Sequence, residues 1–390
     1  MALITWDEGL WIILAAAILL VTYVYLGYPL LLGVLHLLGA RKQHQTDEIR
    51  PRVTLIIPAY NECKIIREKV ENSLKIDYLA DRLEIIVASD GSEDGTNDIV
   101  RAYESRGVKL LASTPRSGKI SVLNRAVPAA AGEIIVLCDA NVLFRPDALN
   151  RLIRHFADSS VGAVTGDVRI KSEDAPFGEG EGLYYKYERF IQLRESELGS
   201  TVTVDGGMYA LRKELFRTLP SDTILDDFII GMNVALAGKR VLYDPSAIAT
   251  ENATMDVWQE FRRKVRIVAG AFRELLRGQG VPGPFRPQLL WSYLSHKVLR
   301  WLVPWCLLVI LGVNIALAWR PGPDLVAIAL LLAQVAFYGC ALIGLTRANA
   351  RWPAVVGVPF YFCMVNTAAW LGALRGVTGI ERVTWKKAER

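Results

Sequence analysis

Cysteine is scarce in this chain, with five among 390 residues. No two are spaced as C-x-x-C, and Cys306, Cys340 and Cys363 fall inside long apolar runs. This excludes a disulfide framework and a zinc ribbon, so all five read as packing residues. Charge is missing from residues 10–38, which hold no acidic or basic residue apart from His36. A secretory leader would have an apolar region of roughly 7–15 residues and a small-residue cleavage site. The run is longer than that, has no basic region before it, and reads as a membrane anchor. Internal repeats and low-complexity stretches are absent. So is a complete phosphate-binding P-loop. PRSGKIS (115–121) has Ser113 where that loop needs Gly and Ile120 where it needs Ser or Thr. An ATPase is excluded, although basic residues opening a helix still suit a pyrophosphate.

Apolar residues are what the chain has in excess: 52% are hydrophobic and the mean hydropathy is +0.25. Three further apolar runs, about 302–319, 325–346 and 353–374, follow a polar block at roughly 50–285 that is long enough for one large domain. Asp7 and Glu8 precede the anchor, while Arg41, Lys42, Arg50 and Arg52 follow it. The positive-inside rule then puts the polar block in the cytoplasm and the chain in the inner (plasma) membrane with several passes. The net charge of +5 adds little, and nothing asks for a nucleic-acid partner.

The polar block alternates strand-like and helix-like stretches. VTLIIPA (53–59), RLEIIVASD (82–90), VKLLAS (108–113), EIIVLCDA (133–140) and VGAVTGDVRI (161–170) read as strands. Stretches 62–74, 96–107, 118–132 and 146–157 read as helices. Such alternation implies an α/β, Rossmann-like domain with a mostly parallel sheet and helices on both faces. Ligands of such sheets bind beyond the carboxyl ends of the strands. Three strands end there on polar signals: PAYNE, ASDGSEDGT and CDAN. In the last, Asp139 and Asn141 are two apart and share a side if extended. Their oxygens suit a divalent cation, with an ordinary turn as the competing reading.

Together these segments resemble the membrane-integrated family 2 glycosyltransferases of GT-A fold, relatives of cellulose, chitin-oligosaccharide and hyaluronan synthases. The resemblance covers nearly the whole chain: anchor 1–40, GT-A domain 50–256, amphipathic interfacial helices 257–301, α-helical membrane bundle 302–374 and basic tail 375–390. It implies Tyr60 and Glu62 beside the nucleotide, Asp90 reading a uracil ring and Lys119 near the diphosphate. CDAN stands where that family has its DxD motif, so Asp139 and Asn141 would hold Mg²⁺ or Mn²⁺. VDGGMYALR (204–212) resembles the strand lining the acceptor, which puts Gly206 and Gly207 there. In ILDDF, Asp227 matches the family's catalytic base and Asp226 the neighbouring acid; acids favoured at a helix start are the plainer reading.

Two places depart from the pattern or leave it open. In VWQEFRRKVRIVAGAFRELL (257–276), aligning Gly270 puts Arg263 and Arg266 at the family's Gln and Arg positions and Ile267 at its Trp. The stacking floor for an acceptor sugar is therefore missing, unless Trp258 or Trp301 supplies it. The same basic amphipathic helix also suits anionic lipid. GIERVTWKK (379–387) resembles a gating loop with Thr384, Trp385 and Lys386 over the nucleotide; a lipid-binding tail competes. The basic tail favours a cytoplasmic C-terminus, so run 353–374, interrupted by Pro353, Gly357 and Pro359, is expected not to cross. The expected function is inverting transfer from a UDP-sugar to a growing glycan. A single-sugar transferase on a polyprenyl-linked acceptor, or a non-catalytic partner of a secretion machine, stands as the alternative.

Overall fold

The computed structural model describes residues 6–40, 45–171, 178–252, 256–322, 324–350 and 352–380. Trp385 and Lys386 lie outside the described residues, as does the rest of the tail beyond Ile380. The polar block is built on one eight-stranded sheet: β1 (Val53–Ala59), β2 (Leu83–Asp90), β3 (Val108–Ser113), β4 (Ile134–Leu137), β5 (Leu143–Phe144), β6 (Val161–Lys171), β7 (Tyr209–Arg212) and β8 (Arg240–Asn252). Their order across the sheet is β3-β2-β1-β4-β7-β6-β8-β5.

The first half is parallel, as the alternation implies: β1 pairs with β2 and β4, and β2 with β3. β1 lies between two cores. Val53, Leu55 and Ile57 pack on one side with Ile66 and Val70, while Ile56 packs on the other with Val122 and Leu123. Covering both faces explains the nearly unbroken apolar run of VTLIIPA. Beyond β4 the sheet is mixed: β7 is antiparallel to β4 and β6, β8 is parallel to β6, and β5 returns antiparallel to β8. The expectation of a mostly parallel sheet holds for the first half, and in this half β7 runs against its neighbours. That reversal brings residues 201–207 back to the edge where β4 ends.

Among the described residues four helices are long and apolar enough to cross a membrane: Trp6–Leu37, Pro287–Trp319, Leu325–Thr346 and Ala354–Thr378. Asp7 pairs with Arg320 at 2.6 Å, so the start of the first helix and the end of the second share one end of the bundle. Each of these two helices carries a π-turn, Tyr23–Gly27 and Leu294–Val298. Tyr23 Oη meets Ser295 Oγ at 2.8 Å, joining the two turns, and the Tyr187 hydroxyl donates to the Val24 carbonyl at 3.1 Å. Close by, the Tyr28 hydroxyl donates to Glu195 at 2.6 Å, and His296 bridges Glu195 (2.9 Å) and Glu188 (3.0 Å). Glu195 then accepts from Thr201 Oγ1 and the Val202 amide. A buried polar chain thus runs from the membrane helices into the 201–207 segment.

The expected interruption near Pro359 does not occur. Ala354–Thr378 is one continuous helix that accommodates Pro359 as its sixth residue, without the bond that an N–H there would make to the Val355 carbonyl. It follows Val257–Leu276 along its length: Phe360 and Tyr361 meet Val257, and Gly372 and Gly376 reach Val265 and Ala269. Its Ala369 and Ala373 join the same core as Phe228 of the sheet domain. A Cβ at Gly372 would lie 2.6 Å from the Val265 carbonyl, and one at Gly376 2.6 Å from that of Ala269. Gly372→Ala should therefore force the two helices apart and cost about 1–3 kcal/mol. Thermal unfolding checks this against Gly339→Ala, where nothing lies within 4 Å of the added methyl and little change is expected.

Candidate active site

The carboxyl ends of β1 and β2 are stitched together by short polar loops. Asn61, with φ of 52°, accepts from the Glu93 amide at 2.9 Å, and the Glu62 amide donates to Thr96 Oγ1 at 2.8 Å. The Cys63 amide donates to Asp94 at 3.0 Å. Burial would raise the Asp94 carboxyl, but bonds from Thr96 and Cys63 outweigh it and hold the group down at about 2. Asp90 ends β2 and is 5% exposed. It accepts from the amides of Ser117 (2.7 Å) and Gly118 (2.8 Å) and so shapes the loop that opens helix Lys119–Ala129. Next in that loop, the Arg116 guanidinium lies 3.7 Å from the centre of the Tyr60 ring. Sequence reasoning noticed the basic character of PRSGK but gave Arg116 no role.

Lys119 holds the centre. Its Nζ is 3.1 Å from Asp139 Oδ1, just past the end of β4, and 3.1 Å from Asp226 Oδ2, which opens helix Asp226–Leu236. Burial alone would lower the lysine, but Asp139, Asp226 and Asp227 together hold it above its ordinary value. Asp227 behaves oppositely. Burial and the neighbouring Asp226 charge push its carboxyl up to about 7, against the pull of Lys119 and the Phe228 amide. Gly206 makes room for it: a Cβ there would sit 2.7 Å from Asp227 Oδ2. Gly207 is packed tightly against Val142 and takes an amide bond to Asp205. Asp205 is fixed by Arg189 at 2.7 Å.

Tyr209 was not singled out by its sequence. It is 1% exposed on β7, and its hydroxyl is buried with no hydrogen-bond partner among the described residues. Burial first, and then the charges of Asp226, Asp227 and Asp139, hold its pKa well above the ordinary value. The pattern signal was available, since the aromatic is the second residue after the glycine pair; in the sheet Tyr209 faces Leu137.

Other expected residues sit further out. The Asn141 amide nitrogen donates to Glu251 on β8 at 2.6 Å, which leaves the amide oxygen as the atom for another partner. Among the described residues no group of three or more His, Cys, Asp or Glu is arranged for a metal. The chain's own donors are thus one partly exposed carboxylate and one amide oxygen, and a hard cation accepts both types. Arg263 is engaged with Glu260 on its own helix at 2.6 Å. Burial would raise Glu260, but Arg263 and Lys264 outweigh it and hold the acid down at about 2. Arg266 and Ile267 follow, partly buried, on the same helix. Gly270 lets that helix touch Ile224 and Leu225, directly before Asp226. Trp301 is 8% exposed and packs on Phe228 and Phe272, whereas Trp258 is half exposed.

The description "Glycosyltransferase like family 2" matches residues 51–270, more than half of the chain. The poly-beta-1,6-N-acetyl-D-glucosamine synthase of Staphylococcus aureus (strain COL) is 25% identical over 270 residues, 64% of this chain and 65% of that protein. Its Staphylococcus epidermidis counterpart is 24% identical over 247 residues, 62% of this chain and 59% of that protein. The chain therefore spans less than two thirds of the length of these curated relatives. Among solved structures, the mannosyltransferase PcManGT from Pyrobaculum calidifontis, a complex with GDP-Man and Mn²⁺, superposes with a TM-score of 0.71 at 27% identity, covering 95% of this chain and all of that one.

Holding Asp227 near 7 is costly once it ionises. In the unfolded chain it would titrate near 3.8, so the folded protein keeps the extra proton between about 4 and 7. Stability therefore falls as pH rises through that window, and the loss is complete above about 7. Asp227→Asn should unfold at a higher temperature than the parent protein at about pH 8, by the equivalent of roughly 1–3 kcal/mol, with little difference near pH 4. Melting curves at the two pH values check both the sign and the window.

Proposed function

This chain belongs to the glycosyltransferase-like family 2, and from that premise we propose that it is a membrane-embedded, inverting transferase. It moves a sugar from a nucleoside-diphosphate donor to a hydroxyl of a glycan or lipid-linked acceptor. One observation carries the reading: a carboxylate held near 7, Asp227, stands in the cluster where a single ammonium is shared by Asp139 and Asp226. An acceptor hydroxyl has a pKa far above 7 and needs such a base; the effect is typically worth about 10²–10⁴-fold.

Asp227 takes the hydroxyl proton as the oxygen attacks the anomeric carbon, and the bond from that carbon to the diphosphate breaks on the opposite face. A single displacement inverts the centre, so an α-linked donor gives a β-linkage. Lys119 stands at the first turn of its helix, where the aligned peptide dipoles add to its charge, and receives the leaving diphosphate. Arg116 over Tyr60 offers a flat cationic surface on the nucleotide side. Asp139 and the Asn141 amide oxygen are the residues that would hold Mg²⁺ or Mn²⁺, which supplies further charge stabilisation to the departing diphosphate. Asp205 and Gly206 line the acceptor side against Asp227.

A UDP-sugar is the donor implied by the resemblance, and the curated relatives are polysaccharide synthases by name. A second reading, GDP-mannose, is favoured by the similarity to PcManGT over nearly the entire chain. Purified protein given a panel of UDP- and GDP-sugars should release the matching diphosphate with one donor. Asp227→Asn should cut that release by about 10²–10⁴-fold while leaving nucleotide binding nearly intact. Wild-type turnover in the folded variant would remove Asp227 from the role.

For topology we infer three crossings, with the catalytic domain and C-terminus in the cytoplasm. Two observations support this. Asp7 pairs with Arg320, and Ala354–Thr378 runs along Val257–Leu276 with 44% of its apolar window buried, more than any of the other three. A cysteine introduced by Glu389→Cys should react with a membrane-impermeant thiol reagent only after cells are permeabilised. Labelling of intact cells would put the tail outside and leave four crossings.

A further inference from the structure

Behind the CDAN segment stands a buried lysine that the mechanism has not used. Lys69 is on helix Ile66–Ser73 and is 0% exposed. No carboxylate lies within 4 Å of its ammonium among the described residues' ion pairs. Its Nζ donates to the Val142 carbonyl at 2.6 Å and sits 4.4 Å from the centre of the Phe144 ring, and the Cys138 thiol is also within hydrogen-bonding reach. Burying an ammonium on a carbonyl, a thiol and an aromatic face is expensive compared with an apolar side chain of the same length. Stability alone does not account for it.

What Lys69 touches explains the placement better. Its three partners are residues 138, 142 and 144, which bracket Asp139 and Asn141 on both sides. Asn72, one turn along the same helix, grips the same segment: its amide donates to the Phe144 carbonyl and accepts from the Phe144 amide, both at 2.8 Å. Val142 itself packs against Gly207, so movement of its peptide would be felt on the acceptor side as well. β4 ends at Leu137, the Cys138 amide adds a last bond to the Ile56 carbonyl of β1, and β5 spans only Leu143–Phe144, leaving residues 139–142 without sheet pairing of their own. The helix face carrying Lys69 and Asn72 replaces that pairing.

We propose that Lys69 is a positioning residue of the donor site: by holding the Val142 carbonyl from behind, it fixes the Asp139–Asn141 segment in the geometry that binds a divalent cation together with a nucleoside diphosphate. This rests on the reading of Asp139 and Asn141 given above. Residues that orient metal ligands in this way typically change affinity by about 10–100-fold when removed.

The test uses the full-length protein and Mn²⁺ titrations, followed calorimetrically, in the presence of UDP or GDP. Lys69→Met should weaken Mn²⁺-supported nucleotide binding about 10–100-fold and leave binding in chelator unchanged. Amide exchange across residues 138–144 should rise in the same variant. Lys69→Arg should restore much of the Mn²⁺ response, whereas Val70→Ala, a core change on the same helix, should leave it intact despite lower stability. Should Lys69→Met fail to fold, Lys69→Gln keeps a donor for the carbonyl and is expected to fall between the two. If wild type responds to Mn²⁺ and Lys69→Met responds equally, or loses chelator-resistant binding to the same extent, the positioning role is wrong. If wild type itself binds nucleotide identically with and without Mn²⁺, the cation reading of Asp139 and Asn141 fails, and the role of Lys69 falls with it.

Discussion

One ammonium shared between two carboxylates organises the centre of this protein. Asp139 and Asp226 are distant in sequence, and each would be expensive to bring into a partly dry cleft alone. Lys119 meets both at 3.1 Å and makes their approach tolerable. The arrangement is poised because the same ammonium is the natural partner for a diphosphate. In the proposed reaction the donor's phosphates compete for Lys119, and Asp226 must be satisfied from elsewhere. The buried Tyr209 hydroxyl, with no partner of its own among the described residues, stands near enough to feel that carboxylate. Asp227 is left beside a negative neighbour, the condition that keeps a carboxylate proton-hungry near neutral pH.

The membrane helices hold this cleft by packing as well as by proximity. Val257–Leu276 is gripped on one side by the glycines of Ala354–Thr378 and, through Gly270, touches the residues just before Asp226. A displacement of that helix is therefore transmitted to the start of the helix carrying Asp227. On the opposite flank, Tyr28, His296 and Glu195 tie two membrane helices to Thr201 and Val202, four residues before Gly206. Asp227 thus sits between two supports that both originate in the apolar helices.

Much of this was legible in the sequence, for identifiable reasons. β1, β2 and β4 were readable because strands covered on both faces are unbroken apolar runs, and each ended in polar residues that mark the ligand edge. Val257–Leu276 coincides with the basic amphipathic helix read from the sequence, and Asp256 caps it. The antiparallel half was not readable: β7 has four residues and β5 two, too short for any period to register. Pro359 misled because the helix continues through it despite the forfeited N–H bond, which composition alone does not reveal. Asp90 was expected at the site, but its engagement with Ser117 and Gly118 depends on a loop meeting a strand end 27 residues away. Lys69 was invisible for the same reason, while Tyr209 offered only its place after the glycine pair.

The account stands or falls on Asp227 being a base that loses its proton near neutrality. The pH dependence of kcat/KM for the wild-type protein, measured between about pH 5 and 9 with its preferred donor, addresses this directly. It should rise with a slope of one and reach half its plateau at about 7, the position to which burial and Asp226 push the carboxyl. A rate that is already at its plateau at about pH 5 would mean a carboxylate of ordinary acidity, or a nucleophile that needs no base, and would contradict the account.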